Sequence, residues 1–178
     1  MASHDETTRF ERAVLPHLGA AYNLARWLTG NDHDAEDVVQ EAFLRAFRFF
    51  DRCHGEVRSW LLAVVRNTCY TWLKRHRGHE AQATPFDEAV HAPDESAEPL
   101  ALLLRKAERE QLRAALEELP LEQREVMVLR ELEGLSYKEV AAIAEVPLGT
   151  VMSRLARARK ALLECLVRRH HEESCREL

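Results

Sequence analysis

The sequence predicts an all-α protein: two small helical domains joined by a flexible acidic linker, the second containing a helix-turn-helix. Three observations carry this expectation. Apolar residues recur at helical spacing along most of the chain, while strand-type alternation never persists. Residues 78–99, GHEAQATPFDEAVHAPDESAEP, hold three prolines, six acids and no Lys or Arg, with no sustained apolar period, which is the composition of an exposed linker. The stretch from Ser136 to Leu162 has the cap, the break and the second apolar stripe of two helices joined by a tight turn. The expected domains are therefore residues 1–77 and 100–178.

At 178 residues, with 46% apolar and 31% charged side chains, the chain reads as water-soluble and globular. Its start, MASHDETTRFERA, is polar and mixed in charge, unlike a secretory signal, and apolar runs such as WLLAVV are far too short to span a bilayer. These features predict a cytoplasmic protein with no stable membrane insertion. Cys53, Cys69, Cys165 and Cys175 form no CxxC pair, so free thiols are expected. The net charge of −5 is unevenly spread. Residues 1–77 carry 11 basic and 10 acidic side chains and residues 100–178 carry 14 of each, so the deficit lies wholly in the linker.

In the first domain a helix is expected from about Thr7 to Thr29, with Pro16 as a kink and Gly30 and Asn31 at its end. A second helix begins near Asp32 or Asp34. Asp34, Glu36, Asp37 and Glu41 gather towards its start, where the helix dipole favours acids, and Arg45 and Arg48 come late. Ala35, Val39, Ala42, Phe43, Ala46 and Phe50 keep an inward stripe. A third helix is expected from about Arg58 to Arg77. On a wheel of about 100° per residue, Trp60, Leu61, Val64, Val65, Thr68 and Trp72 fall on one side and Arg66, Asn67, Tyr70, Lys74 and Arg77 on the other. From Arg58 to Arg77 there are five basic residues and no acid. Cations with an interleaved aromatic suit phosphate attraction and base stacking, as in single-strand binding sites, although a solvated helix face with a half-buried Tyr has the same composition.

In the second domain Ser136 and Glu139 form an S-x-x-E capping box, and Val140, Ile143 and Ala144 supply the inner face of the helix they open. A break follows at Glu145 to Pro147. The next helix places Val151, Leu155, Ala158 and Leu162 in a narrow arc, opposite Thr150, Ser153, Arg154, Arg157 and Lys160, while Arg159 falls outside the polar arc. Such a helix can pack on its predecessor while presenting hydroxyl and guanidinium donors to a DNA major groove. The 17 residues from Val146 to Leu162 contain four basic side chains and no acid. An acidic chain with so local a basic face is expected to bind free DNA weakly and to act with a partner.

Enzyme chemistry has little support. There is no Gly-rich phosphate loop, no G-x-S-x-G and no H-E-x-x-H, and no motif calls for a cofactor. One constellation is open to a second reading: Cys165, His170, His171 and Cys175 lie close in sequence and suggest a metal- or thiol-responsive role, the alternative being a frayed polar tail.

The segments just described resemble a known family. LEELPLEQREVMVLRELEGLSYKEVAAIAEVPLGTVMSRLARARKAL (residues 116–162) resembles region 4 of the bacterial RNA polymerase sigma factors of the sigma-70 family. DAEDVVQEAFLRAFRFF (34–50) and RSWLLAVVRNTCYTWLKRHR (58–77) resemble successive parts of region 2. The short chain, with no room for further sigma regions, is similar to the extracytoplasmic-function (ECF) subgroup. Glu145 stands where the family often has glycine, and Met152 where it often has a basic residue.

The resemblance implies a promoter-specificity subunit without catalysis of its own. Asp34, Glu36, Asp37, Gln40 and Glu41 would dock on the clamp helices of core RNA polymerase. Arg66, Asn67, Tyr70, Lys74 and Arg77, with the loop from Asp51 to Val57, would engage the minus-10 element of promoter DNA and capture a flipped base. Thr150, Ser153, Arg154, Arg157 and Lys160 would read the minus-35 element. An anti-sigma factor is the implied regulator. The alternative within DNA binding is a LuxR-like regulator that binds operators alone, since it has a similar helix-turn-helix; such a protein has no need of residues 34–77.

Overall fold

In a computed structural model of the chain, residues 4–76 and 109–176 are described; the expected linker and Arg77 lie outside them. Every regular element among the described residues is helical. The first half comprises α1 (His4–Val14), α2 (Leu18–Thr29), α3 (Asp32–Phe49) and α4 (Val57–His76). The second comprises α5 (109–117), α6 (Leu121–Met127), α7 (Tyr137–Ala144) and α8 (Leu148–Arg176).

The helix expected from Thr7 to Thr29 is interrupted where Pro16 removes a backbone donor: a 3₁₀ turn over Leu15–His17 separates α1 from α2. Gly30 ends α2 in the left-handed conformation, φ 90°, its N–H reaching Arg26 O at 3.0 Å. Asn31 then caps α3, its side-chain oxygen accepting from Asp34 N at 2.8 Å. Asp32, in the first turn of α3, accepts from Arg26 Nε at 2.6 Å and from the Tyr22 hydroxyl at 3.0 Å, which fixes α2 against α3. Phe10 sets α1 on the same assembly, meeting Phe47 and Phe50 edge-on at centroid distances of 5.2 and 5.3 Å.

Arg124 in α6 joins the two halves. Its guanidinium donates to Leu116 O at 3.1 Å and Glu117 O at 2.6 Å, satisfying carbonyl acceptors left over at the end of α5. It also reaches Trp27 O in α2 at 3.0 Å. Burial pushes its pKa down, with partial relief from Glu117. After α6 a π-turn over Val128–Leu132 carries the chain to Gly134, φ 68°.

The two domains expected on either side of the linker share one apolar core. It runs from Leu24, Leu61 and Val65 to Val126, Leu129 and Val140, with α2 against α6 and α4 against α7. Each half alone is small for an independent core, so this packing adds apolar burial that neither could supply by itself. It also alters the expectation for α4. Leu62 and Cys69 are buried as fully as Leu61 and Val65, and on the other face Arg66 and Tyr70, both half-buried, meet Glu125 of α6 while Asn67 is exposed.

The expected frayed tail is also corrected. α8 continues to Arg176, and its later turns are fastened to the end of α5, where Glu118 accepts from both Arg168 and Arg169.

Candidate nucleic-acid interface

The helix-turn-helix forms as its sequence requires. Ser136 N donates to Glu139 Oε2 at 2.7 Å and Glu139 N to Ser136 Oγ at 3.3 Å, the two reciprocal bonds of a capping box. The serine partner holds the Glu139 carboxyl below the usual range. Val140, Ile143 and Ala144 are buried. The turn is made by Glu145 at φ 56°, the one non-glycine residue with positive φ among the described residues. That geometry gives a physical reason for the family's frequent glycine there.

α8 then starts at Leu148, with Val151, Leu155 and Ala158 each no more than 1% exposed. The opposite face carries the expected residues in unequal states. Ser153, Arg157 and Lys160 are exposed and Thr150 is half-buried. Arg157 Nε donates to Ser153 O one turn back at 3.2 Å, which orients its side chain along the helix. Arg154 is 14% exposed and its guanidinium lies 2.6 Å from Glu122 in α6. Lys160 approaches Glu164 at 3.9 Å. Arg159, off the polar arc as its wheel position indicates, pairs with Glu131 at 2.6 Å.

On α3, Glu36, Asp37 and Gln40 are exposed. Asp34 and Glu41 are less available, since Asp34 accepts from the Asn31 amide and Glu41 from Arg45. Beside Gln40 an apolar groove runs between α1 and α3, lined by Phe10, Leu15, Phe43, Leu44 and Phe47. Leu15 and Leu44 on its rim are 55% and 63% exposed.

On α4 the expected residues divide. Lys74 is exposed near the end of the helix. Arg66 stacks its guanidinium over the Tyr70 ring at 4.1 Å, donates to Glu125 Oε1 at 2.6 Å and reaches Asn67 Oδ1 at 3.0 Å. The Tyr70 hydroxyl donates to Glu125 Oε2 at 2.9 Å, and Asn67 Nδ2 to Glu145 at 3.1 Å. Burial, then the charge of Glu125, raises the Tyr70 pKa; burial opposes the charge on Arg66, but the bond to Glu125 raises its pKa overall.

Sequence reasoning missed Glu125, which is fully buried. The signal was present: Glu125 lies four residues after Leu121 and four before Leu129, on the inward stripe of its helix.

Of the Cys165, His170, His171 and Cys175 constellation, only the first three have described side chains. Cys165 is buried and its thiol donates to Glu118 at 3.2 Å, while the side chain of Cys175 lies outside the described residues. Among the described residues no three histidine, cysteine or acidic side chains gather to hold a metal ion. Arg169 and the Cys165 thiol hold the Glu118 carboxyl down to about 2. No helix among the described residues is long and apolar enough to cross a membrane.

Comparison with known proteins follows the two halves. Residues 13–79 match the model of sigma-70 region 2 and residues 109–162 that of sigma-70 region 4. The chain is 37% identical over 147 residues to the ECF RNA polymerase sigma-E factor of Escherichia coli, covering 76% of this chain and 77% of that one. It is also 37% identical over 165 residues to the ECF RNA polymerase sigma factor SigE of Mycolicibacterium smegmatis; this covers 92% of the chain but spans 63% of that relative's length. Among solved structures it resembles the sigma factor RpoE of Bartonella quintana, crystallised with the anti-sigma factor NepR, with a TM-score of 0.69, 29% identity and coverage of 89% of this chain and 96% of that one. An acidic α3, a basic α4 and a helix-turn-helix, in that order and matched to these relatives along most of their length, identify the chain as a member of the ECF RNA polymerase sigma factors of the sigma-70 family.

Proposed function

We propose that the chain is a promoter-specificity subunit that works in the cytoplasm, binds core RNA polymerase, directs it to a class of promoters and carries out no catalysis itself. The observation that carries this reading is the presence, in one chain, of an exposed acidic face on α3 and an exposed hydroxyl and cationic face on α8. A stand-alone operator binder needs the second and not the first.

In this reading Glu36, Asp37 and Gln40 dock on a basic surface of the polymerase, and the groove edged by Leu15 and Leu44 supplies apolar contact beside them. Ser153, Arg157 and Lys160 enter the minus-35 major groove. A guanidinium can pair with both acceptors of a guanine, while hydroxyl and ammonium groups hold phosphates and set register. Arg66, Asn67, Tyr70 and Lys74, with Arg77 beyond, meet the minus-10 strand once it is melted. Extruding a base costs a few kcal/mol, offset by stacking on an aromatic and by cationic contacts to the backbone.

An anti-sigma factor is the proposed regulator. Support comes from the related Bartonella sigma factor, whose solved structure contains one. Native-gel titration of core polymerase with the full chain tests the reading: a stoichiometric complex is expected, and no complex with core polymerase alongside tight binding to operator DNA would replace it with the LuxR-like alternative.

A further inference from the structure

We infer that Met152 reads a thymine: its side chain, flanked by Leu148, packs on the 5-methyl group of that base in the minus-35 major groove and gives the chain a preference for an A·T pair there, a subsite that rests on the reading of α8 as the minus-35 helix.

Large apolar side chains on α8 belong beneath it, as do Val151 and Leu155, each no more than 1% exposed. Leu148 and Met152 depart from this, at 39% and 48% exposed. They lie one turn apart on one flank, with about 5–6 Å between Cβ atoms at that spacing. Turning about 100° from buried Val151 brings Met152 to this flank, and about as far again brings Ser153 to the outward face. On that outward side the neighbours of Met152, three residues before it and four after, are Gly149 and Ala156. Both are small and exposed, and the space beside Gly149 is open, so the thioether projects past its neighbours. Two turns on, Arg159 occupies the same flank and turns back to Glu131 at 2.6 Å. Leu148, Met152 and Ala156 thus fall in the first three turns of α8, the part of a recognition helix whose side chains reach base edges.

Of the groups that bases present in the major groove, only the thymine C5-methyl is apolar. A methionine side chain carries no strong donor or acceptor, so it cannot pair with guanine, adenine or a phosphate. It is long, unbranched and polarizable, which suits it to fill the shallow space over a methyl group. Charge favours DNA over an apolar protein surface as the occupant. From Val146 to Leu163 the chain has four cations and no acid, and Arg157 and Lys160 are exposed on the side next to this flank. An apolar partner would strand those charges, whereas DNA offers phosphates to them and methyl groups to Met152. The two kinds of contact divide by position: Met152 and Ser153 lie in the second turn, nearest the bases, and Lys160 in the fourth, where the backbone passes.

The test uses holoenzyme assembled from core polymerase and the full chain. Selection from duplexes randomised over the minus-35 element gives the preferred sequence, which should contain an A·T pair. Each thymine of that element, on either strand, is then replaced singly by uracil, which keeps every hydrogen-bonding group and removes only the methyl. Anisotropy of the labelled duplex should show a loss of about fourfold in affinity at one thymine, the size expected for one buried methyl-sized group. Met152→Ala should bind the thymine duplex about fourfold more weakly and no longer distinguish thymine from uracil at that place, with core binding retained. Met152→Leu, still apolar, should keep the distinction. If the selected element holds no A·T pair, or no uracil weakens the parent, the inference is overturned. It is overturned too if Met152→Ala still discriminates thymine from uracil, since another residue then reads the methyl, or if Met152→Ala loses core binding, since its partner is then protein. Arg157→Ala on the same duplexes separates these failures from a wider one: a lost preference there keeps α8 as the minus-35 helix, and unchanged preference in both variants removes that reading and the thymine contact together.

Discussion

Arg154 lies 2.6 Å from Glu122, and this ion pair ties the second turn of α8 to α6. Of the arginines on the proposed minus-35 face, Arg154 is thus engaged within the protein, while Arg157 is exposed with its guanidinium laid along the helix.

This difference sets an order among DNA contacts. Arg157→Ala should cost about 1–3 kcal/mol in holoenzyme binding and relax preference at one or two minus-35 positions. Lys160→Ala should weaken binding alike across sequences and reduce the salt slope by about one. Arg154→Ala should lower stability by no more than about 1 kcal/mol, because the Glu122 partner is 62% exposed and water screens the pair. Competition binding over a randomised minus-35 element at several salt concentrations distinguishes the three.

At Glu145 the turn demands φ 56° from a residue with a Cβ. Glu145→Gly should exceed Glu145→Ala in stability by about 1 kcal/mol, since both lose the bond to Asn67 and only alanine keeps the left-handed strain. Urea unfolding of the two variants checks this; equal stability would mean the turn carries no strain.

The folded state should weaken in alkali. Burial pushes the Cys69 thiol from 9.0 up to about 12, and burial with the bond to Asp32 pushes Tyr22 from 10.0 up to about 12. Both groups hold their protons more tightly when folded, so the stabilisation is complete below the unfolded values and lost as pH rises towards the folded ones. Unfolding free energy should therefore fall from about pH 9 to 12, each group contributing on the order of 1 kcal/mol per pH unit over the part of that window lying above its unfolded pKa. Cys69→Ala should make the decline shallower. Urea unfolding over this range gives the slope.

Much of the fold is local in origin and could be read from the chain. The Ser136–Glu139 box, the Pro16 interruption, the Gly30–Asn31 junction and the Val151–Leu155–Ala158 stripe each depend on residues within a few positions of one another. The packing of the halves depends on residues far apart. Arg66 and Glu125 are 59 positions apart on opposite sides of the linker, and each alone reads as an ordinary helix charge. The same limit applied to the site. The wheel placed Arg66, Asn67 and Tyr70 together on one face correctly, but nothing in α4 itself says that acids from α6 and the α7–α8 turn meet that face. Glu125 was the available clue, an acid on an apolar stripe awaiting a cation.

The acid face of α3 makes a separate prediction. Asp37→Lys should weaken core polymerase binding by about tenfold or more, since a cation would then face a basic surface, and helix content should be unchanged. Glu41→Lys should act less simply, because it also places a cation against Arg45. Titration with core polymerase beside circular dichroism measures both; undiminished affinity in Asp37→Lys would remove α3 from the interface.

Run-off transcription by core RNA polymerase over a genomic promoter library, with and without the full chain, tests the central claim most directly. The expected result is a discrete set of new transcripts whose upstream DNA shares two spaced elements, with Arg157→Ala shifting preference at the distal one. No chain-dependent transcripts from active core polymerase, together with tight operator binding in its absence, would contradict the assignment.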